Sequence, residues 1–283
     1  MTGLTVPAYA KINLTLDVLG KREDNYHEVS MILQSINLRD LVTVSRSGKG
    51  ITIDSNTAAI PADYDNLAYR AALLLKERTG FTEGIHIYIE KNIPVAAGLG
   101  GGSADAAATL IGINYLLGLG LTPGELICLG KQLGADVPFC ILGGTALVEG
   151  IGEKLTILPK APTLWLVLAK PEFGVSTAEV YRRFDKNKVT ERPDNAAAVE
   201  ALAREDMELL VANMVNVLET VTLEHYPEVA RIKDRMLSLG AMRAVMCGSG
   251  PTVMGVFGGQ KEAEQAYVLL KEEYPEVFLT RTR

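Results

Sequence analysis

Four of the five residues from 98 to 102 are glycine, within the run Pro94-Val-Ala-Ala-Gly-Leu-Gly-Gly-Gly-Ser-Ala-Asp-Ala-Ala. No other feature restricts this chain as strongly. Every glycine in an ordered loop costs entropy, so a plain turn would carry one or two. Residues 85–89 before the loop alternate β-branched with polar side chains, the mark of a strand. Ser103-Ala-Asp-Ala-Ala-Ala-Thr-Leu-Ile after it is rich in helix formers, with Ser103 suited to a cap or first turn. Strand, glycine loop and helix in succession present unpaired N–H groups and a positive dipole end to a ligand that can come close. The loop reads as a phosphate cradle. It is not a Walker A loop, because no Gly-Lys-Ser/Thr closes it. Nor is it a dinucleotide fingerprint, because Ser103 stands where the third glycine belongs.

A chain of 283 residues has room for two domains. Its 28 basic and 34 acidic residues give a net charge of -6, with no run of Lys or Arg. Such a surface repels a nucleic-acid backbone, yet a few amides and one or two cations can hold a small phosphorylated ligand. Cys128, Cys140 and Cys247 fit neither a disulfide framework nor a zinc spacing. No stretch approaches the ~20 apolar residues that span a bilayer, and the start offers no apolar leader. The expectation is a cytoplasmic protein with no nucleic-acid or membrane partner; its oligomeric state is left open.

Along the chain, Ile12, Leu14, Leu16 and Val18 alternate with Lys11, Asn13, Thr15 and Asp17, a strand that projects Lys11 and Asn13 from one face. Further strands are expected at 41–45, 51–54 and 85–89, and a helix at 66–77 with Leu67, Ala71, Leu74 and Leu75 as its apolar stripe. The stretch 154–171 carries three prolines and reads as a connection followed by a new strand in the apolar run Leu164 to Ala169, which places a domain boundary near Pro159 and gives domains 1–159 and 160–283. Helices follow at 176–184, 195–222 and 228–239, then strands at 244–246 and 252–257, a helix at 261–273 and a strand at 277–280. Two strands joined by Cys247-Gly-Ser-Gly-Pro-Thr, with flanking helices and outer strands, suggest the split βαβ arrangement of a ferredoxin-like domain.

Three further features carry two readings each. The Cys247–Thr252 run is a tight turn or a ligand loop, and it gains weight as the latter if the fold sets it beside the first glycine loop. Lys11 is an exposed edge-strand lysine or a functional one. Asp136, in Gly134-Ala-Asp-Val-Pro-Phe, is by default an N-cap aspartate.

In order along the chain, Pro7-Ala-Tyr-Ala-Lys-Ile-Asn-Leu, residues 94–107 and Gly248-Ser-Gly-Pro-Thr resemble the three motifs of the GHMP kinase superfamily. Gly20-Lys-Arg-Glu-Asp-Asn-Tyr-His-Glu-Val and Gly134-Ala-Asp-Val-Pro-Phe resemble the branch of that superfamily acting on a cytidine-diphosphate sugar alcohol. The resemblance implies an α/β (α+β) two-domain fold, its N-terminal domain like the second domain of ribosomal protein S5 and its C-terminal domain ferredoxin-like. It implies ATP-dependent phosphorylation of the substrate's 2-hydroxyl in the non-mevalonate route to isoprenoid precursors. The alternatives are another alcohol kinase of the mevalonate or homoserine class, or a nucleotide-binding sensor without catalysis. Carried over by position, the catalytic pair is Lys11 and Asp136. The ATP site is Pro94, Val95, Ala96, Ala97, Gly98, Leu99, Gly100, Gly101, Gly102, Ser103 and Ala104, with Asn66 and Leu67 near the adenine. Asn13, Tyr26, His27, Thr177 and Tyr181 fall on substrate positions, Tyr26 and Tyr181 to flank the cytosine and His27 to read its edge. Magnesium is expected as a cofactor with no certain protein ligand, Ser103 being the one candidate contact. Ala96-Ala97 departs from the glycine that many relatives carry before the loop, and a slight stiffening is expected.

Overall fold

A computed structural model describes residues 3–283. The chain groups into two compact units that are not continuous in sequence. The first runs to Ala10 and takes in Leu38–Val95 and Gly100–Gly143; the second comprises Lys11–Asn37, Ala96–Leu99 and Gly144–Arg283. Strands β1 (Gly3–Lys21) and β2 (His27–Ser47) contribute residues to both. A cut between 159 and 160 falls inside the second unit.

In the first unit, β3 (Ile51–Ser55) runs parallel to β4 (Gly84–Glu90), and β4 runs antiparallel to Leu41–Ser47 of β2. Helices α1 (Leu67–Thr79), α2 (Gly101–Leu117), α3 (Pro123–Leu133) and α4 (Val137–Leu142) share one core with these strands. Ile85, Ile87 and Ile89 of β4 are fully buried, each contributing roughly 1.5–3 kcal/mol. Helix α1 starts on Asn66, whose side chain accepts from Ala68 N, and α3 starts on a capping box of Thr122 and Glu125. Helix α2 lies close to its sheet at Gly112, where a Cβ would come within 2.9 Å of Val44.

In the second unit, Val29–Gln34 of β2 pairs antiparallel with β5 (Thr145–Gly150), which pairs with β6 (Lys154–Ile157). The second sheet has the order β10-β7-β9-β8, antiparallel throughout, built from β7 (Trp165–Lys170), β8 (Arg243–Met246), β9 (Val253–Phe257) and β10 (Glu276–Arg281). Between β7 and β8 lie α5 (Thr177–Arg183), α6 (Asn195–Arg204), α7 (Met207–Ala212), α8 (Glu219–His225) and α9 (Pro227–Ser238); α10 (Gln260–Glu273) joins β9 to β10. With α9 and α10 packed on the sheet, this is the expected split βαβ order.

The single helix expected over 195–222 is instead three. Glu205 takes φ 54, Asp206 caps α7 by accepting from Leu209 N, and Asn213 ends it. Short polar side chains that bond the backbone favour caps over helix interiors. The next residues run extended beside β1, with Leu16 N donating to Val215 O and Val217 N to Leu16 O. The first half of β2, all of α3, and β5 had no sequence expectation; α4 begins after Asp136, the cap position the sequence offered, and β6 is a strand where a connection was expected.

Candidate active site

The glycine loop alternates its backbone hand. Ala96 has φ 52, Gly98 φ 75 and Gly100 φ 70, so every second residue is left-handed, a pattern from which anion-binding concavities are built. Gly100 precedes α2 with no side-chain cap, and the first helical bond runs from Ala104 N to Gly100 O. The N–H groups of residues 101–103 therefore have no helical carbonyl to meet. Gly102 is exposed and Ser103 half-buried, while Ala97, Leu99 and Ala104 are buried. A Cβ at Gly102 would lie 3.7 Å from Leu67, which puts that leucine beside the loop. Asn66 spends its side chain on capping α1 and on donating to Pro61 O.

The second glycine cluster meets the condition set by the sequence. A Cβ on Gly98 would fall inside van der Waals contact of the Cys247 carbonyl oxygen, so the two loops touch backbone to backbone and glycine is obligatory. The run from Cys247 to Pro251 is held by more than its strands. Gly248 N donates to Asn13 Oδ1 at 3.0 Å, Asn216 Nδ2 donates to Met246 O and Gly248 O, and Thr222 Oγ1 donates to Ser249 O. A plain hairpin turn needs none of these.

Lys11 is 5% exposed, which removes the exposed-lysine reading. Its Nζ donates to Asn13 Oδ1 at 3.0 Å, and its backbone N donates to Leu99 O in the glycine loop. Asn13 thus orients the Lys11 ammonium and the Gly248 amide with one oxygen, while its Nδ2 donates to Met31 Sδ. Cys247 is fully buried, and burial pushes its thiol up to about 12 despite the Lys11 charge nearby.

Asp136 stands at the N-cap of α4 but makes no side-chain cap hydrogen bond. The default capping explanation therefore does not account for it. Ser103 Oγ lies 4.0 Å from where a Gly134 Cβ would be, so the turn bearing Asp136 approaches the first turn of α2.

On the segment joining β1 to β2, Asn25 takes φ 67 and Tyr26 is 61% exposed. Tyr26 N donates to Asp24 Oδ1, and Arg22 bridges Asp24 and Glu28. The His27 ring stands 5.3 Å from the Tyr181 ring, tilted by 43°. Burial, then Lys21, lowers the His27 pKa, so its imidazole is neutral at pH 7. Thr177, the first residue of α5, shares a 2.7 Å hydrogen bond with Ser249. The structure thus brings His27 to Tyr181, Thr177 to the second glycine loop, and Asn13 to both Lys11 and that loop. Sequence reasoning missed Asn216 and Thr222, which lie far before the second glycine run that they brace, and gave Ser249 within that run no role of its own.

The chain matches the GHMP kinases N terminal domain over residues 66–144 and the GHMP kinases C terminal family over 198–276. It is 54% identical over 285 residues to the 4-diphosphocytidyl-2-C-methyl-D-erythritol kinase of Moorella thermoacetica, covering all of both chains. The chain belongs to the 4-diphosphocytidyl-2-C-methyl-D-erythritol kinases, within the GHMP kinases. The like-named protein of Caldicellulosiruptor saccharolyticus is 49% identical, over 99% of this chain and 97% of its own. Among solved structures, a 4-(cytidine 5'-diphospho)-2C-methyl-D-erythritol kinase superposes on 99% of both chains with a TM-score of 0.86 at 34% identity. The homoserine kinase of Cytophaga hutchinsonii, at 22% identity and TM-score 0.77, shares the GHMP kinase fold. Among the described residues of this GHMP kinase, no helix is long and apolar enough to cross a membrane.

Proposed function

We propose that the chain transfers the γ-phosphoryl group of ATP to the 2-hydroxyl of 4-diphosphocytidyl-2-C-methyl-D-erythritol, a step of non-mevalonate isoprenoid precursor synthesis in the cytoplasm. The observation that carries this reading is full-length identity of 46–54% to kinases of that name, on a chain whose Lys11, Asn13 and two glycine loops are bonded to one another.

In this reading residues 1–159 carry the ATP loop and catalytic pair, and residues 160–283 form the second domain. The amides of Gly100–Ser103 and the start of α2 hold the phosphates. Asp136 accepts the proton of the attacked hydroxyl as the new O–P bond forms and the bond between the β- and γ-phosphates breaks, releasing ADP. Lys11, aimed by Asn13, orients that hydroxyl and offsets its developing negative charge. Tyr26 and Tyr181 flank the cytosine, and the neutral His27 ring reads its edge.

Among the described residues no three acidic, His or Cys side chains cluster as a cage. In this reading the Ser103 hydroxyl, half-buried in the first turn of α2, would be the protein's contact to magnesium, whose other partners would be phosphate oxygens and water. Bound there, the ion neutralises charge on the β- and γ-phosphates.

The test follows ADP release and the phosphorus NMR signal of a new phosphomonoester, with ATP, magnesium and the cytidine substrate. Substrate-dependent turnover, reduced on the order of 10²- to 10⁴-fold in Asp136→Asn, supports both activity and base. Turnover on mevalonate or homoserine instead, unchanged by Tyr26→Ala, assigns another alcohol kinase. Tight ATP binding with no transfer to any alcohol assigns a sensor.

A further inference from the structure

One peptide unit of the second glycine loop, that between Cys247 and Gly248, faces the site with both of its ends. Its carbonyl oxygen lies against Gly98, and its N–H, on Gly248, donates to Asn13 Oδ1 at 3.0 Å. Gly248 takes φ 56, and glycine adopts either hand readily, so the loop does not fix the plane of this peptide by itself. The carbonyls on either side of the plane are held by one side chain. Asn216 Nδ2 donates to Met246 O at 2.8 Å and to Gly248 O at 2.7 Å, which spends both protons of its amide. Its Oδ1 accepts from Leu218 N at 3.0 Å, and the residue is 3% exposed. Glu219, three residues on, accepts from Met246 N at 2.8 Å. The backbone of Asn216 is bridged to Leu16 of β1, the strand that also carries Lys11 and Asn13.

The consequence falls on Asn13. Its Oδ1 takes two donors, Lys11 Nζ and the Gly248 N–H, each at 3.0 Å. Its Nδ2 faces Met31 Sδ at 3.3 Å, and a thioether is a weak acceptor. The two donors on the oxygen therefore decide which way this buried amide is turned. If the Gly248 N–H swings aside, one of the two is lost and Asn13 constrains the Lys11 ammonium less. The loop backbone also lies beside that ammonium, since a Cβ on Gly248 would stand 3.4 Å from Lys11 Nζ.

We propose that Asn216 is a positioning residue for phosphoryl transfer: it sets the plane of the Cys247–Gly248 peptide, whose N–H holds Asn13 and so aims Lys11. The proposal rests on the reading above, in which Lys11 orients the attacked hydroxyl and offsets its developing charge. Asn216 acts through Gly248 and Asn13, so its effect belongs to the rate of transfer rather than to retention of the nucleotide.

The test is a double-mutant cycle on kcat. Asn216→Ser keeps an oxygen that can accept from Leu218 N and loses both donors to the loop. Asn13→Ala removes the group through which Asn216 acts. A fall in kcat on the order of 10- to 10²-fold from Asn216→Ser alone, shrinking below about twofold when residue 13 is already alanine, supports the proposal. Equal falls in the two backgrounds, no fall in the first, or a change confined to KM for ATP overturns it, because a residue that merely supports the fold would act with or without Asn13. Should Asn216→Ser not fold, Asn216→Asp keeps the shape and the acceptor but turns an oxygen in place of the donors toward the two carbonyls, and the same cycle is read on it. Hydrogen exchange at the Gly248 amide, followed by NMR of protein labelled at its glycine nitrogens, reads the first link directly. Exchange faster in the Asn216 variant by on the order of 10-fold supports the proposal, and unchanged protection overturns it. This measurement needs no turnover, so it is decided apart from the identity of the acceptor alcohol.

Discussion

Two neighbouring residues of the phosphate loop ask opposite things of a side chain. Gly98 has φ 75 and no room for a Cβ against the Cys247 carbonyl. Gly98→Ala should push the two glycine loops apart and misplace the amides, with a loss in kcat/KM on the order of 10²-fold for displacements near 1 Å. Near-normal kinetics in that variant would refute the backbone contact. Ala96 has φ 52, a hand that costs an alanine roughly 1–2 kcal/mol. Glycine removes that cost but adds freedom to the unfolded chain. Ala96→Gly should therefore leave the melting temperature unchanged or raise it slightly, read by calorimetry, and a clear fall would contradict the assignment. At this scale the sequence was legible where chemistry demanded a rare residue: four glycines in a row of five, a lysine within an apolar strand. It was silent where the role comes from partners far along the chain. Asn216 looked like one more helix residue until Met246 and Gly248, 30 and 32 positions away, were seen to meet it.

The elements show which local patterns carry their own instructions. Alternation marked the core of β1, and Asn66, Thr122 and Gly80 mark helix ends by cap chemistry. The expected helix over 195–222 failed because helical apolar spacing persists through residues 213–217, which bond instead to β1, a partner no local window contains. Strands β5 and β6 were missed because they are short and follow a helix through glycines 143 and 144. Placement on elements also sorts the thiols. Cys128 on α3 is exposed, Cys140 on α4 is partly covered, and Cys247 at the end of β8 is buried with its thiol pushed up to about 12. An aromatic disulfide reagent should label Cys128 rapidly in the folded protein and leave Cys247 unmodified until denaturant is added. Rapid labelling of Cys247 in the native state would mean that β8 and the second glycine loop open readily.

At the level of the whole molecule, fold class and family were readable because five motifs recur in order, whereas the path of the chain through its compact units was not. Nothing in composition separates Lys11–Asn37 from the residues on either side of it, yet the contacts do. Residues 160–283 contain all four strands of the β10-β7-β9-β8 sheet, but they lack Leu16, Asn13 and Gly98, which bond or pack against Val215, Gly248 and Cys247. Produced alone, that fragment should show no cooperative melting transition, and mixing it with residues 1–159 should restore one. A sharp transition in the isolated fragment would show that the sheet and its helices suffice.

The backbone passes between the two units after Ala10, Asn37, Val95, Leu99 and Gly143. No single recombination point in the gene can therefore exchange one unit for a relative's and leave the other intact. Novelty in such a lineage has to arrive by substitution within both units together, so an altered acceptor specificity would be inherited with the nucleotide loop it evolved beside.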